Sequence, residues 1–240
     1  MQTQDAFDTT NWTLIEALNT ADHPKHERAL GLLINRYWPP VYAAVRKSGH
    51  DRDAAADLTQ AFFLDVILGR ALFEQADASK GKMRTLLLTA MKRYLIDQHR
   101  RQTSRGTDRT IPLDDLDREE AFVAGETAST VDDVYERRWA MAVLEEAIER
   151  CEAYFLEAAK PSHWAVFERF VVQPALYGSE PPPLEQLAAA FDFASGVHVA
   201  SALKVVRKRV RVVLREVAAQ TASSLESQED EYNRVIRLLG

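Results

Sequence analysis

The sequence predicts an all-α protein: two small helical domains joined by an acidic linker, the C-terminal one carrying a helix-turn-helix. Three observations predict it. Glycine and proline are scarce, at nine each in 240 residues, and long stretches rich in Ala, Leu, Glu and Arg dominate. Apolar residues recur at spacings of three and four and not at alternate positions. Between two such periodic blocks lies a stretch with no sustained period, many acids and scattered Gly and Pro, a linker composition.

Taken in order, Asn11 to Asn19 reads as a short helix with Trp12 and Ile15 on one face. Glu27 to Ser48 reads as a longer one, with Leu30, Leu33, Ile34, Tyr37, Val41 and Val45 on its apolar face. Pro39 and Pro40 should bend or interrupt it. Gly49-His50-Asp51 is a stop and a restart, and Asp51 or Asp53 is placed to cap the next helix, which runs to about Leu68. Its buried stripe reads as Leu58, Phe62 and Asp65 or Val66. Gly69 to Lys82 reads as a loop. Met83 to Arg101 is a strong helical pattern with Leu87, Met91, Tyr94 and Leu95 inward.

Gln102 to about Thr130 is the linker. The second block starts near Asp132, with Val134, Trp139, Val143, Leu144 and Ile148 as its apolar face. A helix from Trp164 to Leu176 should stop at Pro174 and Gly178. Pro181-Pro182-Pro183 leads into Leu184 to Phe191, a turn at Asp192 to Gly196, and a long helix from about Val197 to Gln220. The resulting boundaries are 1–102 for the first domain, 103–130 for the linker, 131–221 for the second domain and 222–240 for a tail. The tail is acidic and then apolar, and reads equally as a short amphipathic helix docking on the protein or a partner, or as a frayed end.

The formal net charge of −6 conceals segregation. Gly81 to Arg109 holds eight Lys or Arg against two Asp, Leu113 to Glu136 nine acids against one Arg, and Lys204 to Arg215 six basic residues and no acid. Two basic patches separated by an acidic strip suit two nucleic-acid contacts, or two solvated helix faces. The N-terminal residues lack the basic and apolar regions of a signal peptide, and no apolar run is long enough for a membrane span, so a cytoplasmic location is expected. Cys151 is the only cysteine, which excludes an intrachain disulfide and a thiolate metal cluster. The six His are scattered, and neither a Gly-rich phosphate loop nor a nucleophile elbow is present. No enzyme activity, metal or cofactor is expected.

Asp53-Ala54-Ala55-Ala56-Asp57-Leu58-Thr59-Gln60-Ala61-Phe62-Phe63 resembles the polymerase-binding helix of sigma-70 family factors, whose common form is Asp-Ala-Glu-Asp-Leu-x-Gln-x-x-Phe. Met83-Arg84-Thr85-Leu86-Leu87-Leu88, followed by Leu95-Ile96-Asp97-Gln98-His99-Arg100-Arg101, is similar to the promoter-melting and minus-ten helix of that family. Tyr37-Trp38-Pro39 fits the first helix of the same domain. Leu184-Glu185-Gln186-Leu187-Ala188 through Arg207-Lys208-Arg209-Val210-Arg211 resembles its minus-thirty-five helix-turn-helix. Two domains alone resemble the extracytoplasmic-function (ECF) group, and some ECF groups similar to this chain are associated with Ser/Thr kinases.

The resemblance implies an alternative sigma factor that binds core RNA polymerase and promoter DNA. It implies a polymerase-binding face at Asp53, Asp57, Gln60 and Leu64, which share one side of a helix. It implies DNA contacts from Lys82, Arg84, Lys92, Arg93, Arg100 and Arg101 in the first domain. In the second, His198, Ser201 and Lys204 would meet base edges, and Arg207, Lys208 and Arg211 would meet phosphates. A helix-turn-helix regulator that binds DNA without polymerase is the alternative.

The pattern departs from the family at three places. Leu86-Leu87-Leu88 replaces an aromatic-containing stretch, Ala200 and Ala202 stand where Lys and Arg are common, and Ala56 and Ala61 stand where Glu is usual. A phosphate on Thr59, three residues after Ala56, would add close to two negative charges beside the missing carboxylate. The expected partners therefore include a Ser/Thr protein kinase that modifies Thr59, or an anti-sigma factor.

Overall fold

The computed structural model describes residues 23–68, 83–104, 130–220 and 225–239, and these are all-α with no strand among them. Helix α1 spans His23–Lys47, α2 Arg52–Phe62, α3 Met83–Ser104, α4 Val131–Glu157, α5 Pro161–Phe167, α6 Gln173–Tyr177, α7 Leu184–Ala190, α8 Gly196–Ala219 and α9 Leu225–Leu239. π-Helical stretches continue α2 over Phe63–Leu68 and join α5 to α6 over Glu168–Val172. The readings of Asn11–Asn19, Gly69–Lys82 and most of the acidic linker lie outside the described residues.

The chain forms two compact units. One gathers the described residues as far as Val143 together with Ala218–Leu239; the other is Leu144–Val217. This division differs from the boundaries drawn on composition. The first half of α4 and the C-terminal helix α9 both pack in the first unit.

In the first unit, Pro39 and Pro40 do not interrupt α1, which is helical from His23 to Lys47. The two prolines leave two backbone carbonyls one turn earlier without their usual partner. Burial compensates: Leu33, Tyr37, Val41, Ala44 and Val45 are all essentially inaccessible and hold the helix from both sides of the proline pair. Ser48 and Gly49 close α1 by donating their amides to Ala44, Val45 and Arg46 carbonyls, with Gly49 at φ +94°. Arg46 Nη1 donates to the His50 carbonyl at 2.8 Å. Asp51, and not Asp53, then caps α2 by accepting from the Ala54 amide at 2.8 Å.

The core face of α2 is Ala55, Thr59 and Phe62, continued by Phe63, Val66 and Ile67. Phe62 and Val66 of the expected stripe are buried, whereas Leu58 sits at its half-buried edge and Asp65 is exposed. The i→i+5 pitch after Phe62 turns both Phe62 and Phe63 inward. Phe63 stacks on Trp38 of α1 at 5.6 Å, and Phe62 meets Tyr94 of α3 edge-on at 5.8 Å. Met83, Leu87, Leu88, Met91 and Tyr94 complete this core from α3. Burial raises the Tyr94 hydroxyl above its ordinary pKa; a Gln98 hydrogen bond opposes this.

In the second unit, the buried core is made of Ala147, Cys151 and Phe155 of α4, Trp164, Val166 and Phe167 of α5, and Leu187, Val199, Ala202, Leu203 and Val206. Pro174 falls inside the helical run and does not stop it; Gly178, at φ +63°, does. The wider π-helical pitch just before Pro174 takes up its ring and its missing donor. Burial pushes the Cys151 thiol up to about 11, with Glu216 adding to that and Arg209 opposing it, so it stays a protonated core residue.

Candidate nucleic-acid interface

Asp53, Asp57, Gln60 and Leu64 all lie on the exposed side of α2 and its π-helical continuation, opposite Ala55, Thr59 and Phe62. Leu64 keeps 52% of its surface open, an apolar residue at the end of an acidic stripe. Ala56 and Ala61 flank this stripe, each half-buried.

Thr59 departs from its expected place. It is not on a polar flank: its side chain is fully buried, and its hydroxyl has no hydrogen-bond partner. Its position four residues after Ala55 and three before Phe62 puts it in the centre of the core stripe. A phosphate has no room there, and a kinase cannot reach the hydroxyl while α2 is packed.

On α3, Arg93, Arg100 and Arg101 are exposed as expected, and Lys82 lies outside the described residues. Lys92 is also on the surface, where it pairs with Asp132 at the start of α4. Thr130 and Asp133 fix that start through reciprocal hydrogen bonds, Thr130 Oγ1 to Asp133 Oδ2 at 2.7 Å and the Asp133 amide to Thr130 Oγ1 at 3.1 Å. Leu87 and Leu88 of the triple-leucine stretch are core residues and Leu86 is half-buried, so this segment serves packing.

Arg84 corrects the sequence reading most strongly. It is buried, at 6% exposure, and is not an open phosphate contact. Its Nη1 donates to both oxygens of Glu136, at 2.7 and 2.9 Å. Its Nε and Nη2 donate to Glu231 of α9, at 3.1 and 3.2 Å. The guanidinium also lies over the Trp139 ring, 4.8 Å from its centroid. The Tyr135 hydroxyl donates to the Arg84 carbonyl at 3.1 Å. Burial holds the Tyr135 phenol well above its usual range, with Tyr37 and Glu136 adding to the effect and Arg84 opposing it, so it remains a donor. Arg234 of α9 adds an ion pair to Glu136 at 3.4 Å, without hydrogen-bond geometry.

Sequence reasoning missed Glu136 and Glu231 because both fall in acidic stretches that read as solvated. The available signal was Glu231 four residues before Val235, one face of a short amphipathic helix.

In the second unit, α7 ends at Phe191, whose amide donates to the Leu187 carbonyl, and Asp192 takes a left-handed conformation at φ +57°. The Phe193 amide then reaches back to Ala188, closing a tight turn. Glu185 Oε2 accepts from the Gly196 amide at 3.0 Å and so ties α7 to the first turn of α8. A Cβ on Gly196 would stand 2.6 Å from the Glu185 carboxylate and 3.0 Å from Leu184 Cβ, which is why glycine sits there. His198, Ser201, Lys204, Arg207, Lys208 and Arg211 are all exposed on α8. His198 Nδ1 is 3.0 Å from Ser195 Oγ, and Ser201 donates to the Val197 carbonyl. Ala202 is a core residue at 2% exposure, so it does not stand in for a missing DNA contact; Ala200 is exposed.

No helix among the described residues is long and apolar enough to cross a membrane. No curated protein and no solved structure matches the chain. Residues 33–105 match Sigma-70 region 2, which spans most of α1 and all of α2 and α3, the elements that carry the acidic face and the first basic face. Residues 33–105, 73 of the 240, are thus similar to Sigma-70 region 2, and the match supports a sigma-70 family relationship for this part of the chain.

Proposed function

We propose that this protein is an alternative sigma factor of the ECF type, acting in the cytoplasm to direct core RNA polymerase to particular promoters. The observation that carries the proposal is the coincidence of the Sigma-70 region 2 match with an exposed acidic stripe on α2 and exposed arginines on α3.

Core polymerase docks on Asp53, Asp57, Gln60 and Leu64, where carboxylates meet basic side chains in charge-assisted hydrogen bonds around an apolar contact. Arg93, Arg100 and Arg101 neutralise promoter phosphates near the minus-ten element. The α7–turn–α8 segment serves the minus-thirty-five element, with His198, Ser201 and Lys204 at base edges and Arg207, Lys208 and Arg211 on the backbone. Burial of Thr59 argues against its modification in the folded domain, so the proposed route to polymerase does not pass through a kinase.

Size-exclusion chromatography with core RNA polymerase tests the reading. The wild-type chain co-elutes with core and Asp57→Arg does not, while keeping its helical circular dichroism. Wild-type protein that fails to co-elute overturns the proposal.

A further inference from the structure

Helix α3 turns one polar face to solvent. At about 100° of rotation per residue, Lys92, Ile96, Arg100 and Arg93 fall within a single arc of about 100°. All four are exposed, and Ile96 keeps 52% of its surface open among the cations. This is the face that the sigma-factor reading gives to the promoter strand. Within it, Lys92 already has a partner from another helix: its ammonium pairs with Asp132, in the first turn of α4.

Asp132 is held in place by its surroundings. The buried Val134, Tyr135 and Trp139 anchor α4 directly after it. The hydrogen bonds between Thr130 and Asp133 fix the start of the helix on either side of it. Asp133 spends its carboxylate on that cap, and the carboxylate of Asp132 is the one that reaches α3. The helix dipole favours an ionised acid at this end. A fixed negative charge therefore stands against one cation of the α3 face. The side chains of Lys92 and Asp132 remain 45% and 49% exposed. An exposed pair of this kind is weak, because water and salt screen it. It neutralises Lys92 without hiding it, and an arriving phosphate has to compete with the carboxylate for the ammonium.

We propose that Asp132 is an intramolecular stand-in for a DNA phosphate at Lys92, an autoinhibitory charge that sets how tightly the α3 face holds nucleic acid. With the pair closed, Arg93 and Arg100 meet the strand and Lys92 does not. With Asp132 neutral, Lys92 becomes a further phosphate contact on the same face, and neither helix has to move. This rests on the sigma-factor reading for its ligand, the DNA strand.

The experiment uses the full chain and a fluorescein-labelled 30-nucleotide single-stranded DNA of mixed sequence, followed by anisotropy over a range of salt. Asp132→Asn is expected to bind about threefold more tightly at low salt, the scale of one exposed ion pair. Its salt slope should be steeper by about 0.7, the increment for one added phosphate contact on a single strand. Asp132→Ser, equally neutral, is expected to match it, which guards against an effect peculiar to one variant. Lys92→Gln in the otherwise unchanged chain is expected to leave the slope as it is, and in the Asp132→Asn background to abolish the gain. Arg93→Gln is expected to make the slope shallower in both backgrounds. An unchanged slope in Asp132→Asn, a gain that survives Lys92→Gln, or a loss of slope on Lys92→Gln alone overturns the proposal. No binding by any variant, or a slope that Arg93→Gln leaves unchanged, overturns it as well by removing the DNA face. Co-elution of the wild-type chain with core polymerase alongside any of these results leaves the sigma-factor reading standing and removes the role of Asp132 alone.

Discussion

The guanidinium of Arg209 lies over the ring of Tyr154, 4.4 Å from its centroid, and so faces α4 while its neighbours Arg207 and Lys208 face solvent. One basic run thus divides into a packing residue and candidate phosphate contacts. Arg209→Gln should lower the stability of the second unit by about 0.5–1 kcal/mol through loss of the cation–π contact. It should leave the salt dependence of duplex binding unchanged. Arg207→Gln and Lys208→Gln should each reduce the slope of log affinity against log salt by about 0.9. Fluorescence anisotropy and urea titration separate the two effects.

Removal of Arg84 should be severe. Arg84→Met leaves two buried carboxylates without their shared cation, at a cost of about 3–5 kcal/mol. Replacing Glu136 and Glu231 by Gln in the same chain should recover most of that loss, because the penalty lies in the uncompensated charge. Chemical denaturation of the single and triple variants measures the difference.

Thr59→Val should stabilise the protein by about 1 kcal/mol, since it exchanges a buried hydroxyl without a partner for a methyl group of the same shape. Thr59→Glu should destabilise by several kcal/mol, because it places a charge among Ala55, Phe62 and their neighbours. Thermal melts of the two variants against wild type decide this. A folded chain incubated with a Ser/Thr kinase should show no label on Thr59 by mass spectrometry.

Acid should weaken both units in the histidine range. Burial lowers the pKa of His50 below its ordinary 6.5, with His99 adding to the effect and Asp51 opposing it; burial and then Lys160 lower that of His163. The unfolded chain binds protons more readily at both sites, so stability rises with pH across the window between the lowered folded values and 6.5. It is fully present above 6.5 and is lost as pH falls through the folded values. Urea midpoints at about pH 5 and about pH 7.5 should differ in that direction, and by less in His50→Gln.

Much of the fold was legible because its signals are local. Gly49 and Asp51 mark the break between α1 and α2 through backbone chemistry alone, and the apolar periods of α3 and α8 survive intact. Asp53, Asp57, Gln60 and Leu64, proposed to face polymerase, could be placed on one exposed face from spacing. What could not be read was set by tertiary packing. The prolines at 39 and 40 are tolerated because α1 is clamped by its neighbours. Thr59 is buried because the π-helical turn and its aromatic pair fix which face of α2 looks inward. Arg84 is closed off by residues 52 and 147 positions away in sequence, and no local pattern reports such a pairing.

That separation has a consequence for how the protein is made. On the ribosome, α1, α2 and α3 emerge with Arg84 still lacking its Glu231 partner, and Glu231 is added only after another 147 residues have been translated. The first unit can therefore make its Arg84–Glu231 contact only after the second unit has been translated. A nascent chain stalled before residue 231 should hold Arg84 against Glu136 alone, with its Nε and Nη2 edge still unfilled.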